Sequence, residues 1–206
     1  NEIKRALLHI CGLGQHEVFL NGNKASDNLL APGWSKYDKT CLYETLDVST
    51  QVRTGRKAIG VALGNGMYHT ERRNRFSKFQ GTHGPLRLRA QLELECQDGT
   101  RTIISTDGQW RVSAGPVTYN DIFGGEDYDA RREENGWDNT NFDDTHWVNA
   151  VELVRPKGTL RGFCSSAPPL NAIEFRAPQS ISSLSKSRDV IDFGQNASYM
   201  PQITVS

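Results

Sequence analysis

Residues 86–96 read "LRLRAQLELEC", and their pattern decides the fold. Leu86, Leu88, Ala90, Leu92, Leu94 and Cys96 fall on one side of an extended chain, with Arg87, Arg89, Gln91, Glu93 and Glu95 on the other. Unbroken period two predicts a strand with one buried face and one wet face, the pattern of antiparallel sheets. The turn "QDGT" (97–100) follows, and "RTIIST" (101–106) returns antiparallel to the first strand. Outward from this hairpin the same signals recur in "RALLHI" (5–10), "HEVFLNG" (16–22) and "KTCLYETLDV" (39–48), while "QWRVSAGPVTYNDIF" (109–123) adds two short strands. "KAIGVALGNG" (57–66) is nearly continuous in apolar character and reads as a buried central strand ended by a turn. No segment keeps a helical period for more than about three turns, so the expectation is an all-β, antiparallel sandwich or jelly roll.

The totals agree with that reading. At 206 residues the chain suits one large domain, or one domain and part of a second. A hydrophobic share of 36% with 19 Gly fits a protein in which half of each strand faces water and turns are many. Equal numbers of basic and acidic residues, 24 each, create no global field for nucleic acid or an anionic membrane. No apolar run reaches the ~18–20 residues of a membrane helix, so neither nucleic acid nor membrane is an expected partner. Cys11, Cys41, Cys96 and Cys164 show no CxxC spacing and no His at zinc spacing, so zinc is not expected. One disulfide stays open, and with it the compartment.

The composition shifts near residue 155. Residues 1–155 are expected to form the sandwich, 156–169 a Gly-, Pro- and Ser-rich linker, and 170–206 the beginning of a second, truncated β-domain. Two connections, 28–37 and 66–85, are longer than hairpins need, and such loops often carry function. The second holds the basic run "ERRNRFSKF" (71–79), which reads as a solvated loop, with docking onto a neighbouring domain as the alternative.

Six motifs then occur in one order: Leu20-Asn21-Gly22, Ala31-Pro32-Gly33-Trp34, "LGNGMY" (63–68), "GGEDYDAR" (124–131), "GWDNTNFDDTHW" (136–147) and "DFGQN" (192–196). In that order they resemble bacterial α-L-rhamnosidases, and the resemblance covers nearly the whole chain. It implies a galactose-binding-like jelly-roll β-sandwich, the N-terminal non-catalytic region of a glycoside hydrolase. The family's general acid and base lie in an (α/α)6 barrel further along the chain, so the resemblance implies a truncated, inactive portion of such an enzyme whose partners are that catalytic domain and an L-rhamnose-containing glycan. A periplasmic or extracellular place is favoured over a cytoplasmic one. Where the family pattern commonly has Trp, this sequence has Met67, and Tyr68 is the residue that could partly replace a lost aromatic platform.

Sugar clefts pair aromatic faces, which cover C–H patches, with amides and carboxylates that bond hydroxyls. "APGWSKY" and "GNGMYHT" supply Trp34, Tyr37, Asn65 and Tyr68, joined by Tyr119, Asn120, Phe123 and Glu126 as ligand-binding candidates. No cofactor is required, and calcium is the one metal kept in view, through the Asp and Asn of "GWDNTNFDDTHW". That run also reads as turn formers around buried aromatics. Glu126 and Asp129 raise a rival reading, a self-contained glycosidase or esterase. Their spacing of three places them on opposite sides of a strand, which favours a carboxylate holding Arg131 or Arg132 instead. A third reading is a pure scaffold without ligand.

Overall fold

The computed structural model describes residues 2–52, 55–70, 81–163, 169–202 and 204. It divides into two compact units, Asn1–Asn171 and Ala172–Ser206. The first unit runs through β1 (Ile3–Leu13), β2 (Gln15–Leu20), β3 (Asn23–Lys24), β4 (Thr40–Asp47), β5 (Ile59–Gly64), β6 (His69–Thr70), β7 (Gly81–Thr82), β8 (Arg87–Cys96), β9 (Arg101–Ser105), β10 (Arg111–Val112), β11 (Val117–Asp121), β12 (Gly125–Tyr128), β13 (Val148–Asn149) and β14 (Thr159–Gly162), with one 3-10 turn at Ala130–Arg132. Five strands pair in the order β14-β4-β1-β8-β9 and three in the order β3-β2-β5.

The alternating strand is β8, paired antiparallel to β1 at Leu8↔Leu92 and Ile10↔Ala90 and to β9 at Leu92↔Ile104. Its inward residues Ala90 and Leu92 join Ala6, Leu8 and Ile10 of β1, and this layer meets Val18 and Leu20 of β2 with Val48 and Val52. Two sheets thus close on one aliphatic core, a β-sandwich in which each fully buried Leu or Val contributes about 1.5–3 kcal/mol. One residue, Gly14, carries the chain from the first sheet to the second. Its φ is +92°, and a Cβ there would strike the Gly64 carbonyl oxygen, so glycine is required twice over.

Two expectations need correcting. The apolar run around β5 is not central: among the described residues β5 pairs with β2 alone, at the end of the three-stranded sheet. Its apolar character comes from cover on both sides. Ile59 and Val61 pack on the core, while the Trp137 ring lies so close over Gly60 that a Cβ would come within 2.6 Å of it. The stretch read as a linker contributes β14, which pairs parallel to β4 from Thr159↔Thr40 to Gly162↔Tyr43. Gly158 looked like linker composition, but a side chain there would strike the Tyr37 carbonyl oxygen and approach Cys41 Sγ to 2.8 Å. Glycine here serves close packing.

The second unit holds a hairpin, β15 (Ser180–Ser185) and β16 (Arg188–Asp192), in register at Ile181↔Ile191 and Ser182↔Val190. Ile181, Leu184, Val190 and Ile191 are exposed on it. "MPQITVS" forms no strand among its described residues.

Candidate functional site

The loop after β3 carries Trp34, a residue 69% exposed. With Ser35, Lys36, Tyr37, Asp38 and His83 it borders an open cavity of about 660 Å³. The companions expected beside it are differently placed. Tyr37 and Tyr68 are buried with Cys11, Leu13 and Cys41 in a second core cluster, on the face of β1 opposite the aliphatic core. The two tyrosine rings meet edge to face at 5.1 Å, His83 stands 5.2 Å from Tyr37, and the Tyr68 hydroxyl donates to the His83 carbonyl at 3.0 Å. Burial pushes the Tyr37 hydroxyl up to about 12 and the Cys11 thiol likewise to about 12. Neither tyrosine has a free ring face to offer a sugar, so Tyr68 does not replace an aromatic platform. Met67 packs against the same cluster.

Asn65 and Asn120 bond to each other. Asn65 N–H donates to Asn120 Oδ1 and Asn65 Nδ2 to the Asn120 carbonyl, both at 2.7 Å, which clamps the turn after β5 to β11. Tyr119 is buried beside this clamp. Phe123 is half-buried, its N–H donating to Asp121 Oδ1 at 2.8 Å. Glu126 is exposed on β12, across the ladder from Asn120.

Asp129 caps the 3-10 turn and accepts from both Arg131 Nε at 2.8 Å and Arg131 Nη2 at 2.7 Å. These bonds hold its carboxyl below the ordinary range, the wrong direction for a general acid. The acidic run therefore braces a turn. "GWDNTNFDDTHW" is an aromatic clasp on the outer face of the three-stranded sheet. Trp137 meets Phe19 edge to face at 5.4 Å and stacks on Trp147 at 6.5 Å, and Phe142 packs on Trp147 at 5.5 Å. Glu134 takes the Trp147 indole N–H and pairs with His146 at 2.7 Å. Among the described residues no three His, Cys, Asp or Glu side chains converge as a metal site. The run 71–79 and Cys164 lie outside the described residues; Cys11, Cys41 and Cys96 are free thiols.

Sequence reasoning missed a polar pair inside the sandwich. His16 of β2 and Glu44 of β4 are 5% and 6% exposed, and their side chains bridge the two sheets, Nε2 to Oε2, at 3.1 Å. Gly12 N–H donates to His16 Nδ1 at 3.3 Å, which leaves Nε2 as the donor to Glu44. Asn28 Nδ2 donates to the other carboxylate oxygen at 2.8 Å. Burial raises the Glu44 pKa, but the bonds from His16 and Asn28 outweigh it and hold the carboxyl below its ordinary value. One signal was readable: His16 shares the inward parity of Val18 and Leu20, and Glu44 that of Leu46.

The chain matches one known family. A model of the α-L-rhamnosidase N-terminal domain covers residues 1–173. The chain belongs to that family. Within it, a curated α-L-rhamnosidase of Formosa agariphila is 35% identical over 208 residues, covering 100% of this chain and 22% of the relative. The α-L-rhamnosidase structure from Dictyoglumus thermophilum superposes with a TM-score of 0.83 at 38% identity, over 94% of this chain and 21% of that one. The Streptomyces avermitilis α-L-rhamnosidase, solved in complex with L-rhamnose, gives a TM-score of 0.85 at 32% identity, over 95% of this chain and 19% of that one. The chain thus spans about a fifth of the length of the relatives it matches. It is their N-terminal, β-sandwich region.

Proposed function

We propose that this sandwich serves an α-L-rhamnosidase as a non-catalytic module that supports the catalytic domain and engages L-rhamnose-bearing glycan. Trp34 carries the reading: it is the large aromatic that the frame leaves exposed beside an open cavity, while Tyr37 and Tyr68 beneath it are locked in the core. A flat indole at such a place suits the C–H face of a sugar ring. Asp38 borders the same cavity. Calcium, a hard cation that takes six to eight oxygens including those of a sugar, is the metal this reading admits. We infer a periplasmic or extracellular setting, because rhamnosyl glycans of plant or bacterial origin lie outside the cell that degrades them.

Calorimetric titration of the chain with L-rhamnose, in calcium and again in chelator, tests the reading. Heat that disappears in Trp34→Ala supports it, and calcium dependence of that heat supports the metal. No heat at millimolar sugar sinks it and leaves a scaffold, a reading favoured by the mutual Asn65–Asn120 bonds. Turnover of a chromogenic α-L-rhamnoside by this chain would instead revive the acidic run as a catalytic site, against the Asp129–Arg131 pairing.

A further inference from the structure

The chain holds three Asn-Gly pairs, Asn21-Gly22, Asn65-Gly66 and Asn135-Gly136. Asn-Gly is the dipeptide most open to loss of the asparagine amide, because glycine has no side chain to shield its nitrogen from the asparagine Cγ. In sequence the three are equal, and all three glycines turn at positive φ, +80°, +49° and +77°. The structure separates them. Asn21 is half-buried, its Oδ1 accepts the Ala58 N–H at 3.0 Å, and the Gly22 N–H donates to the Asp138 carbonyl at 3.1 Å. Asn65 is half-buried, and its Nδ2 is fixed on the Asn120 carbonyl at 2.7 Å. Asn135 is exposed in a turn closed by the Trp137 N–H, which donates to the Glu134 carbonyl at 3.2 Å. Among the described residues no hydrogen bond holds the Asn135 side chain or the Gly136 N–H.

We propose that Asn135 is a site of spontaneous deamidation, and that its conversion loosens the aromatic clasp and then opens Asn21 to the same reaction. The step needs only water. The Gly136 nitrogen bonds to Asn135 Cγ and gives up its proton, the Cγ–Nδ2 bond breaks, and ammonia leaves carrying that proton. Water then opens the cyclic imide at either carbonyl, giving aspartate or isoaspartate. One water is consumed, one ammonia is released, and nothing is oxidised or reduced. Isoaspartate runs the main chain through the former side chain and lengthens it by a methylene inside the Glu134–Trp137 turn. Either product adds a carboxylate beside Glu133, Glu134 and Asp138, where like charges repel. Glu134 holds the Trp147 indole and pairs with His146, so both changes fall on the clasp. The clasp in turn guards Asn21: Asp138 supplies the carbonyl that holds the Gly22 N–H, and Asn139 Oδ1 lies 2.6 Å from where a Gly22 Cβ would stand. Asn65 depends on Asn120 of β11 and stays outside this sequence of events.

The test is peptide mapping by mass spectrometry of the chain aged in warm, mildly alkaline buffer, beside a urea-unfolded reference. Isoaspartate is counted by enzymatic methylation of its free carboxylate. Asn135→Gln accompanies the parent. Residue 135 is not at positive φ, so glutamine fits the turn, and its longer side chain closes an imide ring far more slowly. Support is conversion at Asn135 about tenfold or more faster than at Asn21 or Asn65 in the folded chain, the factor that held hydrogen bonds supply. The unfolded reference should convert all three alike. Asn21 should then follow in the parent and keep its amide in Asn135→Gln, and the near-ultraviolet circular dichroism of the Trp137–Trp147 stack should fade with the first conversion. Equal rates in the folded chain, or Asn21 or Asn65 converting first, overturn the site. So does an Asn135 that persists while the unfolded chain converts. Asn21 converting at the parent's rate in Asn135→Gln overturns the order of events.

Discussion

The two buried clusters lie on opposite faces of β1 and are built by different rules. Between the sheets sit Ala6, Leu8, Ile10, Val18, Leu20, Ala90 and Leu92, strand residues at alternating positions, joined by Val48 and Val52 from the connection after β4. On the far side Cys11, Leu13 and Cys41 come from strands, but Tyr37 and Tyr68 arrive from loops and close over them. The first cluster is aliphatic and specified by period. The second is aromatic and sulfur-rich, with polar tips that find backbone partners, as Tyr68 does at His83. A core carried by strands holds the fold together; a core delivered by loops fixes the shape of the surface above it, here the ground on which Trp34 stands.

Mutations can break this contrast. Leu8→Ala, at a position with no solvent exposure, should cost the most, about 3–4 kcal/mol. At ~2–4 °C per kcal/mol for a chain of this size, calorimetry should show the melting temperature fall accordingly. A loss under 1 kcal/mol would mean the strand-borne cluster is not the main support. Glu44→Ala should follow at about 2–3 kcal/mol at pH 7, by leaving His16 and Asn28 without their acceptor.

The same residue predicts a pH dependence. The folded carboxyl titrates below its ordinary value of 4.5, so the unfolded chain binds the proton more readily. The Glu44 contribution is therefore present above about pH 4.5 and lost as pH falls through the lowered folded value. Urea titrations at pH 7 and pH 4 should show a smaller acid loss in Glu44→Gln than in the parent; equal losses would remove Glu44 from the acid response. Tyr68→Phe, which deletes one hydroxyl bond and keeps the packing, should cost about 1 kcal/mol. Trp34→Ala comes last, within about 0.5 kcal/mol of the parent, as suits a residue 69% exposed. A large loss there would make Trp34 a structural residue and weaken the sugar reading directly.

The legibility of the fold divides along the same line. β8 was readable to its last residues because period two is a local property, and the β8–β9 hairpin followed from the Asp98-Gly99 turn. β14 was not, because Gly158 reports on the approach of Tyr37 and Cys41, more than a hundred residues earlier in the chain. Trp34 could be singled out as an aromatic on a long loop. That Tyr37, three residues later, turns inward could not, since its partner Tyr68 comes from a different loop. Asn65 and Asn120 look like free hydrogen-bonding groups in a sequence and are mutual partners in space. His16 and Glu44 hid for the opposite reason: each is a polar letter at an inward position, and only the facing sheets show that the two meet.

The parallel pairing of β14 with β4 also orders events during synthesis. β4 is complete at Asp47, while its neighbour on the outer side ends at Gly162. For the translation of over a hundred residues that edge stands bare, its backbone groups open to any strand nearby. This edge of the nascent sandwich therefore stays open to mispairing until Thr159 and the residues after it are made, and the glycine that precedes them lets the closing strand settle against Tyr37 and Cys41.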